Sequence, residues 1–352
     1  MIRVSVSIGQ RRTGSMKLFI TGGAGFIGSN FIHYILREHP EDTVLNFDKL
    51  TYAGNLANLK DVENDPRYSF VQGDIADIEA VRKAVPDDCD AIVNFAADTH
   101  VDRSILDPEA FLRTDIFGTR VLLEVAKEKK MERYVQISTD EVYGDIEAGQ
   151  FSKEFDRLHP SSPYAASKAA GDLMVLAYVR TYGVPAIITR CTNNLGPNQY
   201  PEKFIPLAVT NLVEGKTVPV YGDGMQVRDW IHVEDHCRGI NLALRKGRVG
   251  EIYNFGANQN PEWPNLTILE AILKQLGKGE EMKTFVKDRE GHDRRYAVDT
   301  TKAMQELGWK PSRSLAEGLQ QTVQWYVDHP EWWKPLKSGE YLAYYKQQYG
   351  HR

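Results

Sequence analysis

Leu18-Phe19-Ile20-Thr21-Gly22-Gly23-Ala24-Gly25-Phe26-Ile27-Gly28 reads as a buried strand that runs through a glycine-rich turn into a helix. The glycines fall in a GxxGxxG spacing, with Gly22, Gly25 and Gly28 at the three fixed positions. Such residues let the chain turn tightly and bring backbone N–H groups against a pyrophosphate at the positive end of a helix. A glycine triplet is weak evidence by itself, because glycine turns are common. Asp48 strengthens it. It closes the next predicted strand about 20 residues on, where an acid accepts hydrogen bonds from the ribose hydroxyls of a dinucleotide. A carboxylate there repels a 2′-phosphate, so the pattern predicts NAD rather than NADP as cofactor. Asp74, just past the third strand, suits an adenine contact, although a turn aspartate reads equally well.

Outward from this motif, β-rich runs alternate with helical patterns. Strands are expected over Lys17–Thr21, Val44–Phe47, Tyr68–Gln72, Ala91–Phe95, Tyr134–Ser138 and Ala186–Arg190. Helices are expected over Ser29–Glu38, Pro108–Lys129 and Tyr164–Tyr182. Strands alternating with helices of ten or more residues predict right-handed βαβ units and a doubly wound parallel sheet, an α/β Rossmann fold. After about Leu195 the texture becomes richer in Pro, Gly and aromatic residues. The expected organisation is therefore a Rossmann domain over 16–194 and a smaller, mainly substrate-binding lobe over 195–352. The boundary is soft, because later segments can return to the sheet. Residues 1–15 read as a tail or tag, with the fold beginning at Met16.

Composition narrows the class. Apolar residues at 42% and charged residues at 26% of 352 are ordinary globular values. A formal net charge of -5 argues against a surface built to grip nucleic acid. Cys89, Cys191 and Cys237 lie far apart without metal or disulfide spacing, which suits a reducing cytoplasm. No apolar run is long enough for a membrane span. His232 and His236 sit four apart, but no third metal ligand accompanies them, so a structural role is expected and no metal site. The tryptophans from Trp325 to Trp333 read as core.

A second motif, Tyr164-Ala165-Ala166-Ser167-Lys168, places Tyr and Lys on one helical face. An ammonium beside a phenol should stabilise phenolate and lower its pKa, giving a base for a sugar hydroxyl. Taken alone, such a pair is usually surface decoration. Here it follows a strand ending in Gln136-Ile137-Ser138-Thr139-Asp140-Glu141 and shares a chain with the glycine fingerprint.

These motifs, with Arg190-Cys191-Thr192-Asn193-Asn194-Leu195-Gly196-Pro197, Arg228-Asp229-Trp230 and Leu307-Gly308-Trp309, make the chain resemble the extended short-chain dehydrogenase/reductase superfamily from Met16 onward. Ser138-Thr139-Asp140-Glu141-Val142-Tyr143-Gly144 resembles the signature of its dTDP-glucose 4,6-dehydratase family, which implies a hydro-lyase that makes a 4-keto-6-deoxy sugar. Oxidising carbon 4 of the hexose acidifies the proton on carbon 5. A base must take that proton while an acid protonates the hydroxyl leaving carbon 6, and one carboxyl cannot easily do both.

The resemblance implies Glu141 as that base and Asp140 as that acid. It implies Thr139 on the carbon 4 oxygen, Tyr164 as the base for the oxidation, and Lys168 on the nicotinamide ribose. It assigns Phe26 and Ile27 to the pyrophosphate turn and Asp48, Lys49, Leu50 and Thr51 to the adenosine ribose. Asp74 and Ile75 fall to adenine, and Ala96, Ala97, Thr114 and Asn194 to the rest of NAD. Thr99, Asn193, Lys203, Phe204, Pro219, Tyr221, Arg228, Asn265, Arg289 and His292 fall to the nucleotide sugar. The loop Asn258–Pro264, immediately before Asn265, is longer and richer in Pro and Trp than the family pattern. The family is usually dimeric, which implies a homodimer. The competing readings are UDP-glucose as substrate, an epimerase or decarboxylase, and a non-catalytic NAD sensor. The adjacent acids argue against the epimerase and decarboxylase. The intact Thr139, Asp140, Glu141, Tyr164 and Lys168 argue against the sensor.

Overall fold

The computed structural model describes residues 14–349, so the expected tail lies outside the described residues apart from Gly14 and Ser15. Met16 is buried, and its backbone N–H donates to Asp42 Oδ1 at 2.8 Å. The first half runs β1 (Lys17–Thr21), α1 (Phe26–Glu38), β2 (Thr43–Asp48), β3 (Tyr68–Gln72), α2 (Ile78–Ala84) and β4 (Ala91–Asn94). Helices α3 (Val101–Leu106), α4 (Pro108–Phe111) and α5 (Thr119–Glu128) follow, with a π-helical turn at Leu112–Gly118 between the last two. Then come β5 (Arg133–Thr139), α6 (Pro163–Tyr182) and β6 (Ala186–Cys191). The second half contains β7 (Asn193–Leu195), α7 (Phe204–Val213), β8 (Val218–Tyr221), β9 (Trp230–His232), α8 (Val233–Lys246) and β10 (Ile252–Phe255). It ends with α9 (Asn265–Gln275), β11 (Lys283–Val286), α10 (Leu315–Asp328), α11 (Pro330–Trp333) and α12 (Glu340–Tyr349).

Seven parallel strands form the central sheet in the order β3-β2-β1-β4-β5-β6-β10. This is the doubly wound order, extended by one strand, and its direction of growth reverses between β1 and β4. Strand alternation divides the core. Phe19, Phe47, Ile92, Tyr134 and Ile188 face α2, α5 and α6 on one side. Leu18, Ile20, Val44, Val93 and Val135 face α1 and α8 on the other. Both faces are covered, which is why the strands read as nearly continuous apolar runs. Residues 233–255 therefore build on the sheet although they follow Leu195: α8 packs beside α1, and β10 pairs with β6.

Two local departures from the sequence pattern have physical causes. Helix α1 starts at Phe26 rather than Ser29, because Gly25 takes the N-cap position in an extended conformation without a side-chain bond. The helix expected over Pro108–Lys129 is interrupted by the π turn. There the Asp115 carbonyl approaches α6 so closely that a Cβ on Gly171 would lie 2.9 Å from it.

The smaller lobe has its own core, including Leu195, Ile205, Leu212, Trp230, Ile268 and Val323. Trp333 is fully buried in it and its indole N–H donates to the Tyr326 carbonyl at 2.8 Å, so the tryptophan-rich segment is packing. Deep in the molecule, Arg190 Nε donates to Asp172 Oδ2 at 2.8 Å and one guanidinium nitrogen to Tyr143 OH at 2.9 Å, tying β6 to α6 and to the loop after β5. Among the described residues no helix is long and apolar enough to cross a membrane.

Candidate active site

One continuous cleft follows the carboxyl ends of the strands at the β1/β4 reversal and runs under the smaller lobe. Every residue assigned above to cofactor or substrate lines this cleft except Leu50. Leu50 instead holds a positive φ of 56° in the turn after β2.

At the dinucleotide end the three glycines have different reasons. Gly22 has φ +69°, and a Cβ on it would lie 2.5 Å from the Ala96 nitrogen. A Cβ on Gly28 would lie 2.3 Å from the Gly22 carbonyl oxygen. Both are required by the protein's own backbone. A Cβ on Gly25 would meet only the Gly22 oxygen, at 3.3 Å, and otherwise open cleft. This open approach to an uncapped helix N-terminus fits a pyrophosphate.

Asp48 accepts N–H bonds from Ala24 at 2.9 Å and Leu50 at 2.8 Å. Burial raises its pKa and these two donors oppose the rise. It thus shapes the turn as well as facing the cleft. Lys49 pairs with Asp74 at 2.9 Å, so Asp74 also serves its own turn, accepting from the Ala76 N–H. Thr114 donates to Asp98 at 2.6 Å beside Ala96 and Ala97. Asn194 is held by the Thr192 carbonyl and by buried His236 at 3.0 Å. Burial lowers the His236 pKa to about 3, so the ring is neutral. Among the described residues no group of three potential metal ligands forms.

Strand β5 delivers the catalytic candidates. At its end the chain enters a short 3₁₀ turn, Asp140–Tyr143, in which Thr139 caps the Glu141 N–H at 3.2 Å. Asp140 is buried. Its Oδ1 lies 3.2 Å from the Thr139 hydroxyl, and Oδ2 has no partner among the described residues. Burial, then the neighbouring Glu141, pushes the Asp140 pKa well above the carboxylate range. Burial raises Glu141 as well, but Arg289, Arg228 and Lys203 pull it back toward ionisation. Both carboxyls are thus raised, but unequally: Asp140 is held strongly as the acid, while three cations draw Glu141 back toward the anion.

Tyr164 departs from expectation. Its pKa is raised, not lowered, because burial and the carboxyls of Glu141, Asp115 and Asp140 oppose the phenolate. The Thr139 hydroxyl is a favourable partner, while the Lys168 ammonium donates to the Ile137 carbonyl at 2.8 Å. Helical spacing put Tyr and Lys on one face but could not foresee three acids around the phenol.

At the far end, Lys203 Nζ donates to Thr99 Oγ1 at 3.0 Å, which joins two predicted substrate residues. Arg228 is held by the Asp293 carbonyl at 2.9 Å and lies 4.3 Å over the Tyr296 ring. Arg289 donates to Asp102 at 3.1 Å, and Tyr221 donates to the same carboxylate at 2.8 Å. His292 bonds Asp288 at 2.6 Å. Asn193 lines the cleft from β7, and Phe204 and Pro219 supply apolar wall from α7 and β8. The unusual loop before Asn265 is folded by Asp229, which accepts the N–H groups of Ala257 and Asn258, and Asn265 still reaches the cleft at the start of α9. Asn193 Oδ1, Asn265 Oδ1 and Arg289 Nε are buried there without a partner among the described residues, the pattern expected of groups that await a polar ligand.

Sequence reasoning missed Asp98, His100, Asp102, Tyr296 and Tyr349, all of which line the cleft. Asp98 had a signal, standing two residues beyond Ala96 at the end of a central strand. The others reach the site by tertiary contact and carried no local signal.

The fold and cleft define a Rossmann-type enzyme with a Thr-Asp-Glu turn facing a Tyr–Lys helix. Residues 19–322 match the GDP-mannose 4,6 dehydratase family, and the chain belongs to it. The dTDP-glucose 4,6-dehydratase of Streptomyces niveus is 51% identical, over 92% of this chain and 96% of that one. The crystal structure of DesIV, a dTDP-glucose 4,6-dehydratase from Streptomyces venezuelae, has a TM-score of 0.89 and 50% identity, covering 92% of this chain and all of that one; it was solved with NAD and TDP bound. The dTDP-glucose 4,6-dehydratase of Bacillus anthracis in complex with NAD has a TM-score of 0.85 at 48% identity, over 92% of this chain and all of that one.

Proposed function

We propose that the chain is an NAD-dependent dTDP-glucose 4,6-dehydratase, converting dTDP-glucose to dTDP-4-keto-6-deoxyglucose and water. The observation that carries this reading is the Asp140–Glu141 pair: adjacent buried carboxyls raised to unequal degrees, beside Tyr164 in one cleft. Gly22, Gly25 and Gly28 would hold the NAD pyrophosphate, with Asp48 on the adenosine ribose and Lys168 on the nicotinamide ribose. When bound, NAD supplies the hydride acceptor, a cationic ring, and the hydride donor of the last step, so no net redox occurs.

Tyr164 takes the proton of the carbon 4 hydroxyl as that carbon becomes a ketone, and Thr139 orients the oxygen. Glu141, kept ionisable by its three cations, removes the proton from carbon 5. Asp140 gives its proton to the carbon 6 hydroxyl, which leaves as water and creates the carbon 5–carbon 6 double bond. Reduction at carbon 6 and reprotonation at carbon 5 complete the product. Arg228, Arg289 and Lys203 supply positive charge for the diphosphate; a guanidinium forks onto phosphate oxygens.

In this reading the sheet and its helices, including residues 233–255, serve the cofactor, and the smaller lobe serves the nucleotide. We further propose a cytoplasmic homodimer acting in deoxysugar biosynthesis such as that of rhamnose. Support for the dimer comes from Leu112, Phe117 and Leu173, exposed on the π turn and α6. The test of function incubates the protein with dTDP-glucose and, separately, UDP-glucose. Loss of one water from dTDP-glucose without net consumption of NAD is expected; no mass change with either sugar would sink the reading.

A further inference from the structure

Asn58 does not line the cleft, yet its side chain joins the two parts of the molecule that do. It is buried on a short 3₁₀ turn, Leu56–Leu59, between β2 and β3. Its Nδ2 donates to the Ala24 carbonyl at 2.9 Å, in the middle of the glycine-rich turn. Its Oδ1 accepts from the Trp332 indole N–H at 2.8 Å and from the Asn198 amide at 3.2 Å. An indole N–H can only donate and a backbone carbonyl can only accept, so the Asn58 amide has one orientation.

Each partner belongs to a segment that faces a ligand. Ala24 also donates its N–H to Asp48, and its carbonyl takes a second donor, the Asn55 N–H at 3.0 Å. The next residue is Gly25, the open approach to the N-terminus of α1. Trp332 is planted in the smaller lobe, its ring 5.1 Å from Trp325 and 6.1 Å from Tyr326. Asn198 holds a positive φ of 70° at the head of the segment 198–203, which ends at Lys203. Behind it, the Gln199 carbonyl accepts from the Tyr326 hydroxyl at 2.6 Å, and the Gln199 side chain donates to the Asn194 carbonyl at 3.4 Å. Gln199, Tyr200 and Lys203 line the cleft. Asn30 of α1 adds a tie one residue earlier, to the Pro197 carbonyl at 3.1 Å. Packing alone would be served by an apolar side chain, because a buried amide is costly unless fully paired.

We propose that Asn58 is a positioning residue that couples the two ligands of the cleft. A dinucleotide that orders the turn at Ala24 also fixes the segment that presents Lys203 to a nucleoside diphosphate, and the reverse. This rests on the nucleotide-sugar reading above. Linkage requires each ligand to strengthen the binding of the other by the same factor.

The test is equilibrium dialysis of the full-length protein against labelled NAD, with and without saturating dTDP. Two variants accompany the wild type. Asn58→Leu cuts every tie at once. The double variant Trp332→Phe, Asn198→Gly removes only the two donors to Oδ1, leaves Asn58 on Ala24, and suits the positive φ at 198. In the wild type, dTDP should lower the NAD dissociation constant about tenfold. In the double variant the ratio should fall below about threefold, with NAD affinity in the absence of dTDP retained, and Asn58→Leu should lose the ratio as well. A ratio above about threefold in the double variant, including one kept while NAD weakens equally with and without dTDP, would overturn the proposal. So would a wild type that binds dTDP with no change in NAD affinity. A wild-type holoenzyme that binds no labelled dTDP would overturn the nucleotide-sugar reading, and this proposal with it.

Discussion

Replacing Asp140 by Asn should separate two proton transfers that share one turn. The substitution keeps the size of the side chain and an oxygen for the Thr139 hydroxyl, now 3.2 Å from Asp140 Oδ1. It removes the proton that burial and Glu141 hold on the carboxyl. A positioned general acid contributes about 10²–10⁴ in rate, or roughly 3–5 kcal/mol at 1.36 kcal/mol per tenfold. The site favours the middle of that range or above, near 10³. Oδ2 has no partner among the described residues, and the neighbouring carboxyl of Glu141 is needed as the base. Asp140→Asn should therefore lower kcat about a thousandfold with little change in KM. Its Glu141 is intact, so bound dTDP-glucose should still exchange the carbon 5 proton with deuterated solvent while losing no water. Glu141→Gln should lose both exchange and elimination. The assay is mass spectrometry of recovered substrate and product after incubation in heavy water. Loss of kcat below about tenfold, or loss of exchange in Asp140→Asn, would refute the division of roles.

Three further outcomes follow from particular contacts. Gly28→Ala puts a methyl 2.3 Å from the Gly22 oxygen and should lower the melting temperature of the cofactor-free protein, whereas Gly25→Ala, with its nearest contact at 3.3 Å, should lower that temperature less and weaken NAD binding; calorimetry and thermal melts compare them. Arg190→Met leaves Asp172 buried beside an apolar side chain and should cost about 3–5 kcal/mol in denaturant unfolding, and a cost under about 1 kcal/mol would contradict the pairing. Glu141 must be ionised to act, and burial raises its pKa, so kcat/KM should fall as pH drops through a value above the ordinary 4.5; Asp140 must stay protonated, so activity should fall again as pH rises through its strongly raised pKa. A pH profile flat from 4.5 to 7 would contradict the acid limb.

Much of the sheet was legible because buried parallel strands carry continuous apolar runs, and β1 and β3 fall on their predicted bounds. The glycine motif and the Thr-Asp-Glu turn were legible because each is local: a few consecutive residues define the geometry. The start of α1 was not, since Gly25 caps without a side-chain signal. Nor was the π turn, where the Asp115 carbonyl lies against Gly171 of another helix. The acidity of Tyr164 was misjudged for the same kind of reason. Lys168 is four residues away in sequence, but burial of the phenol sets the sign, reinforced by Glu141, Asp115 and Asp140 from other elements. Asn58 and Trp332 are 274 residues apart, so the tie between them is a property of the fold alone.

In the proposed reaction this cleft oxidises carbon 4, eliminates water across carbons 5 and 6, and returns the same hydrogen to carbon 6. The most direct measurement uses dTDP-glucose deuterated at carbon 4 and locates the label in the product by NMR. The expected product is dTDP-4-keto-6-deoxyglucose with the deuterium in the carbon 6 methyl group. Deuterium retained at carbon 4 of a product that has lost no water would contradict it and mark the chain as an epimerase.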